Sequence, residues 1–151
     1  MLPRRLRVLL GLTAPDTAFV GRRGEAAAAR YLRRRGYRIL DRNVVLPSGE
    51  LDLVCESDDE RQLILVEVKS RSADTSHPNA PPPEAAVDED KKDKLATLAL
   101  ELLRKHPHLR QPPRPVRIDV IGIDVIGIDV FHPGAWSERT RLRHYESAVQ
   151  L

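Results

Sequence analysis

Between residues 17 and 35, small and apolar residues recur every three to four positions, which predicts a helix. Its expected inward stripe is Ala18, Gly21, Glu25, Ala28, Ala29 and Leu32, with Asp16 or Thr17 as the start cap and Gly36 as the stop. Glu25 is the odd member of that stripe, because a carboxylate on a small apolar face is costly without a partner. Arg22, Arg23, Arg30, Arg33 and Arg34 lie mostly off the stripe.

The period then changes. Tyr37 to Leu46 reads as a strand, Pro47-Ser48-Gly49 as a tight turn, Leu51 to Cys55 as a second strand, and Ser57 to Glu60 as a polar turn. Leu63 to Val68 is a near-continuous apolar run, which predicts a central strand buried on both faces. A Pro-rich loop over residues 71–83 follows. A second helix is then expected from near Glu84 to about Lys105, with Ala85, Val87, Leu95, Leu98, Ala99, Leu102 and Leu103 as its apolar set. Pro107 to Pro115 breaks it.

Val116 to Phe131 contains a tandem five-residue repeat, IDVIG-IDVIG-IDVF. Five is odd, so each repeat turns its side chains to the other face of a strand. Asp119 and Asp129 are expected on one face and Asp124 on the other, with a bulge or bend near Gly122 or Gly127, or two shorter strands. A duplicated strand segment without a function of its own accounts for the repeat. The order is α-β-β-β-α-β with a short C-terminal segment: an α/β fold, a mixed sheet flanked by helices.

Charge stands out in the second and third strands. On a strand, residues i and i+2 share a face, which pairs Glu50 with Asp52 and Glu67 with Lys69. If the two strands form a hairpin across the 56–62 turn, Asp52 approaches Glu67. Two close carboxylates repel unless a cation or proton lies between them. A hard divalent ion with oxygen ligands answers that, and Mg²⁺ in such a site keeps several waters. Phosphodiester hydrolysis needs an activated water and neutralisation of charge at phosphorus, which a carboxylate-held metal and a nearby lysine supply. Cross-strand ion pairs on an exposed sheet would also produce these letters. Against that alternative stand the apolar character of Leu63–Val68 and the independently embedded Glu25.

The successive blocks GRRGEAAAARYLRRRGYRILDRN, SGELDLV, LILVEVKSRS and PPEAAVDEDKKDKL, with RHYESAV more weakly at the end, resemble the YraN-like uncharacterised bacterial family. That family belongs to the PD-(D/E)XK, restriction-endonuclease-like nuclease superfamily and is similar to archaeal Holliday junction resolvases. The resemblance covers roughly residues 17–149 and implies a restriction-endonuclease-like core. It implies Asp52, Glu67 and the main-chain carbonyl of Val68 as ligands for Mg²⁺ or Mn²⁺, Lys69 as the active-site lysine, and Glu25 as the first-helix acid. Together these make a catalytic set of Glu25, Asp52, Glu67 and Lys69. Glu50 belongs to the family's Gly-Glu-x-Asp block, as a residue behind the metal ligands. The pentapeptide repeat departs from the family pattern, where one simple strand is expected.

The implied function is metal-dependent endonucleolytic cleavage of DNA, with branched and single-stranded DNA as candidate substrates. The rival is a non-catalytic module that binds nucleic acid or docks on a DNA-processing partner such as a helicase. A third reading is a small interaction module with exposed charge pairs. Homodimerisation follows only by analogy with resolvases. Residues 1–43 hold eleven Arg against Asp16, Glu25 and Asp41, although the whole chain is only +3. A basic opening third suits a phosphate backbone, equally a solvated Arg-rich helix. The expected nucleic-acid contacts are Arg33, Arg34, Arg35 and Arg71.

Other features bound the reading. Residues 1–15 are expected to be a basic tail and 16–151 one domain. No apolar run approaches the roughly 20 residues of a membrane helix, and Val8 to Leu12 is short for a signal sequence. The single Cys55 allows no internal disulfide and suits a cytoplasmic location. It is expected in or beside the sheet. His77, His106, His108, His132 and His144 are expected on the surface, Trp136 and Tyr145 around the core, and Lys91, Lys92 and Lys94 on a solvated helix start.

Overall fold

A computed structural model describes residues 17–59, 61–72, 80–132 and 135–151; for Thr17, Phe19 and residues 126–139 it describes no side chain. The expectations for the tail, for His77, for the loop over residues 73–79 and for the side chains of Asp129, His132 and Trp136 lie outside the described residues.

Helix α1 spans Thr17–Arg34. Strands β1 (Arg38–Leu46), β2 (Gly49–Glu56) and β3 (Leu63–Ser72) follow. Helix α2 spans Glu89–Lys105, and β4 (Val116–His132) and β5 (Ala135–Val149) complete the chain. The sheet has five strands in the order β1-β2-β3-β4-β5, which makes β3 central, as its apolar run predicts. β3 and β4 run parallel, joined by the crossover through α2; the other pairs are antiparallel. The chain is therefore mixed α/β, a mixed sheet between two helices.

α1 covers one face, where Val20, Ala28 and Leu32 pack on Leu53, Val66 and Ile121. α2 covers the other, where Leu95, Leu98 and Leu102 pack on Leu51, Leu65 and Ile118. Among the described residues no helix is long and apolar enough to cross a membrane.

Four local expectations are corrected. Ala28, Ala29 and Leu32 of the α1 stripe are buried as expected, but its N-terminal part is displaced: Ala18 is exposed, while Val20, Gly24 and Ala27 are buried. The cause is the approach of α1 to β3. A Cβ on Gly24 would lie 1.8 Å from Ser70 Oγ, so only glycine lets the helix cross here. α2 begins later than Glu84. Pro83–Ala86 is a single 3-10 turn, and Asp88 caps the helix by accepting from the Lys91 N–H at 2.9 Å.

The repeat forms one 17-residue strand, not two. Its register against β5 shifts between Val125 and Gly127, as the glycine suggests, but also between Ile118 and Val120, whereas Gly122 pairs regularly. Finally, the C-terminal segment is a full strand, β5, on the sheet edge. Its run of Ser, Glu, Arg, His and Thr masks strand character, yet charge is what an edge strand carries to discourage further pairing.

Candidate functional site

β2 and β3 pair only from Leu53↔Val66 to Glu56↔Leu63. One step further along the same register, Asp52 faces Glu67, and there the ladder opens. Asp52 fills the gap itself: its Oδ2 accepts the Val68 N–H at 2.6 Å. The seam coincides with a kink. Leu51 packs on the α2 side and Leu53 on the α1 side, so strict alternation breaks at Asp52. Across from it in β1, between Arg42 (opposite Leu53) and Val44 (opposite Leu51), Asn43 takes φ +50°. Asn tolerates that left-handed backbone better than most residues.

Three carboxylates come together at this seam. Glu67 is buried at 4% exposure. Burial and the charge of Glu67 push the Asp52 carboxyl up to about 7, with Glu25 adding to the rise; the Val68 N–H and Lys69 oppose it. Glu25, half-buried on α1, is also raised, first by burial, then by Glu50 and more weakly by Glu67. Asn43, with its amide nitrogen turned toward the acids, donates to Glu50 Oε1 at 3.1 Å and Glu25 Oε2 at 3.2 Å. Glu50 thus joins the cluster through Asn43 and Glu25.

Two ammonium groups balance the acids. Lys69 Nζ is 3.1 Å from Glu67 Oε1, and Lys91 Nζ is 2.7 Å from the same oxygen. Lys91 corrects the expectation of a solvated helix start.

The donor set bears on which ion would fit. Among the described residues no group of three or more His, Cys, Asp or Glu side chains is arranged to hold a metal ion. Two carboxylates on adjacent strands, Asp52 and Glu67, suit the sparse protein coordination of Mg²⁺, which keeps waters and takes phosphate oxygens.

The other expected contact residues lie apart. Arg33, Arg34 and Arg35 are exposed at the far end of α1, about 12–15 Å along the helix from Glu25. Arg35 sits 5.7 Å over the Tyr31 ring and 3.9 Å from Glu146. Arg71 is engaged inside the fold: Nε donates to Asp124 Oδ1 at 2.7 Å and Nη1 to the Pro81 carbonyl. A cavity of about 860 Å³ opens near Arg38, Glu56, Leu102 and Arg114, at the end of β2 away from the seam.

The histidines divide. His106 and His108 are exposed, as expected. His144 is not: its side chain is 5% exposed, and it belongs to a buried polar network around Asp119. The expectation fails because its partners, Asp119 and Tyr31, are remote in sequence. Cys55 is buried in the sheet, and burial pushes its thiol up to about 12, which makes it unreactive. Tyr145 lies on β5, is 44% exposed and donates to Glu84 Oε1 at 2.9 Å, outside the core.

The model of the uncharacterised protein family UPF0102 matches residues 24–123, from the Gly24–Glu25 pair through the seam to β4. The chain belongs to this family, the YraN-like group. A UPF0102 protein of Pelobacter propionicus is 43% identical over 108 residues, 71% of each chain. One of Rhodopirellula baltica is 35% identical over 133 residues, 88% of this chain and 71% of that one. Among solved structures, Pyrococcus furiosus SfsA in complex with Ca²⁺ is similar at 16% identity, over 90% of this chain and 66% of that chain, with a TM-score of 0.35. The stretch matched by the UPF0102 model includes Glu25, Asp52, Glu67, Lys69 and Lys91.

Proposed function

We propose that this UPF0102 protein is a Mg²⁺- or Mn²⁺-dependent endonuclease with a restriction-endonuclease-like core, hydrolysing DNA phosphodiester bonds at the β2–β3 seam. The observation that carries this reading is the Asp52 carboxyl, raised to about 7 beside Glu67 at a point where the strands part. The ammonium groups of Lys69 and Lys91 both sit on Glu67, and a buried acid beside another acid costs stability that a bound cation would restore.

The division of labour follows from the side chains. Asp52 and Glu67, with the Val68 carbonyl, would hold the ion. When bound, the ion supplies charge neutralisation at the phosphate and activation of a water. Lys69 places an ammonium at the seam, where charge builds on the phosphate oxygens. Glu25 enters from the opposite helix, and its raised affinity for protons suits it to exchange a proton with the attacking water or the leaving group. Asn43 orients Glu25 through its amide.

The test is cleavage of branched, single-stranded and duplex DNA by wild type, Glu67→Ala and Lys69→Ala in Mg²⁺. Wild type cuts at least one substrate and both variants lose about 10²-fold or more. Binding without cleavage by wild type would instead favour the non-catalytic module, docked on DNA or on a DNA-processing partner such as a helicase.

DNA contact is assigned to Arg33, Arg34 and Arg35. The distance from Arg34 back to Glu25 matches about four base pairs of duplex, at about 3.4 Å each. Replacing Arg33 and Arg34 by Gln lowers the slope of log affinity against log salt by about 0.9 for each phosphate left without its arginine. Fluorescence anisotropy over a salt series measures it; an unchanged slope removes this end of α1 from the DNA-facing surface. Arg71 contributes only if a phosphate displaces Asp124.

A further inference from the structure

Glu67 has ammonium partners of two kinds. Lys69 lies two residues away on the same strand and moves with it. Lys91 comes from a separate element, yet it is the nearer, 2.7 Å against 3.1 Å from Oε1. Its side chain is 24% exposed, which leaves it partly open to solvent.

The start of α2 is delivered to this point by a built framework. Asp88 caps the helix at the Lys91 N–H. Upstream, Glu84 receives Arg143 Nη2 at 2.9 Å and Tyr145 Oη at 2.9 Å. Arg143 Nη1 reaches on to Asp124 Oδ2 at 3.0 Å, and Asp124 in turn accepts from Arg71, which also holds the Pro81 carbonyl. The segment leading into α2 is thus tied to β3, β4 and β5. A lysine placed by such a framework, against the helix dipole, is held there for its partner.

We infer that Lys91 is a displaceable counter-ion of Glu67: it pairs with the carboxylate while no divalent ion is present, releases it when one binds, and then meets a phosphate oxygen at the same point. This rests on the metal-dependent reading of the seam. Its consequence runs in two directions at once. Removing Lys91 removes a competitor for Glu67, so metal binding tightens. It also removes a positive charge from the phosphate, so cleavage slows. A merely structural lysine would weaken both or neither.

The experiment is a Mn²⁺ titration of the full chain, followed by electron paramagnetic resonance, for wild type, Lys91→Met and Lys91→Arg, with single-turnover cleavage at saturating Mn²⁺. Circular dichroism checks that each variant is folded. Lys91→Met binds Mn²⁺ about three- to tenfold more tightly, as expected for the loss of an ion-pair competitor of modest strength. It cleaves at least about tenfold more slowly, and Lys91→Arg recovers part of the rate. Wild-type affinity in Lys91→Met, or weaker affinity, overturns the inference while leaving the metal site standing. Wild type that binds no Mn²⁺ overturns the metal reading, and this inference with it.

Discussion

Asp52→Asn abolishes Mg²⁺-dependent cleavage and makes the protein more stable, not less. The loss of activity follows from removing one of two carboxylates that would hold the ion, and exceeds about 10²-fold. The gain in stability follows from the proton balance. The folded-state carboxyl is raised to about 7, mainly by burial and by Glu67. A raised carboxyl favours the folded state while it is protonated. That contribution is complete below the ordinary carboxylate value and is lost as pH rises through about 7.

Asparagine carries no charge and can still accept the Val68 N–H that Asp52 Oδ2 now takes. At about pH 8 the variant should therefore gain on the order of 2 kcal/mol, and at about pH 4 close to nothing. Urea unfolding at the two pH values measures it. An equal effect at both would mean that Asp52 is not held against its own charge. Metal affinity follows the same proton: it falls as pH drops below about 7, because the ion must then displace a proton from Asp52.

Asp119→Ala has the opposite effect and does not touch the seam. Asp119 is fully buried, yet its carboxylate is met by several partners. Arg117 grips it with Nε at 2.8 Å and Nη2 at 2.9 Å, the Ser147 N–H donates at 3.0 Å, and His144 Nε2 lies at 2.8 Å. Because a carboxylate only accepts, Nε2 of His144 carries the proton it donates to Asp119, while Nδ1 lies 3.3 Å from the Tyr31 hydroxyl. Burial alone would raise the Asp119 carboxyl, but the bonds from His144 and Arg117 outweigh it and hold it below the usual range.

Removing the carboxylate leaves Arg117, whose side chain is 16% exposed, to Glu146, Gln62 and Tyr37, takes the acceptor from His144 and the Ser147 N–H, and costs about 3 kcal/mol. That is a large share of the roughly 5–15 kcal/mol that stabilises a domain. Since the native carboxyl is depressed, its contribution is present above the ordinary carboxylate value and lost as pH falls through the depressed one. The deficit of the alanine variant is therefore full near neutrality and shrinks in acid. Urea unfolding across pH reads it, and a pH-independent deficit would contradict the ion-pair account.

The two networks explain what the sequence discloses and what it withholds. β3 is legible because a continuous apolar run has few other uses, and Glu25 because it interrupts a small-residue face. Both signals are local. The Asp119–Arg117–His144 network is not legible, because its members acquire meaning only when β5 lies beside β4, and β5 reads as a polar tail. Lys91 is hidden for a related reason. Among Asp88, Glu89, Asp90 and Asp93 it reads as one more charge on a wet helix, and only the arrival of β3 beneath α2 reveals its partner. The kink at Asn43 and Asp52 breaks the period-two rule just where the seam opens. Asn43 is a weak sign of it, as a residue at ease with positive φ in the middle of a strand.

Crystals grown with Mn²⁺ offer the most direct measurement, read by anomalous scattering. The account predicts a single strong peak between β2 and β3, bonded to Asp52 and Glu67 at the short distances of a six-coordinate ion, about 2.0–2.2 Å, with Lys91 drawn away from Glu67. Crystals soaked to saturation that show no peak at the seam, with Lys69 and Lys91 still closed on Glu67, would contradict it.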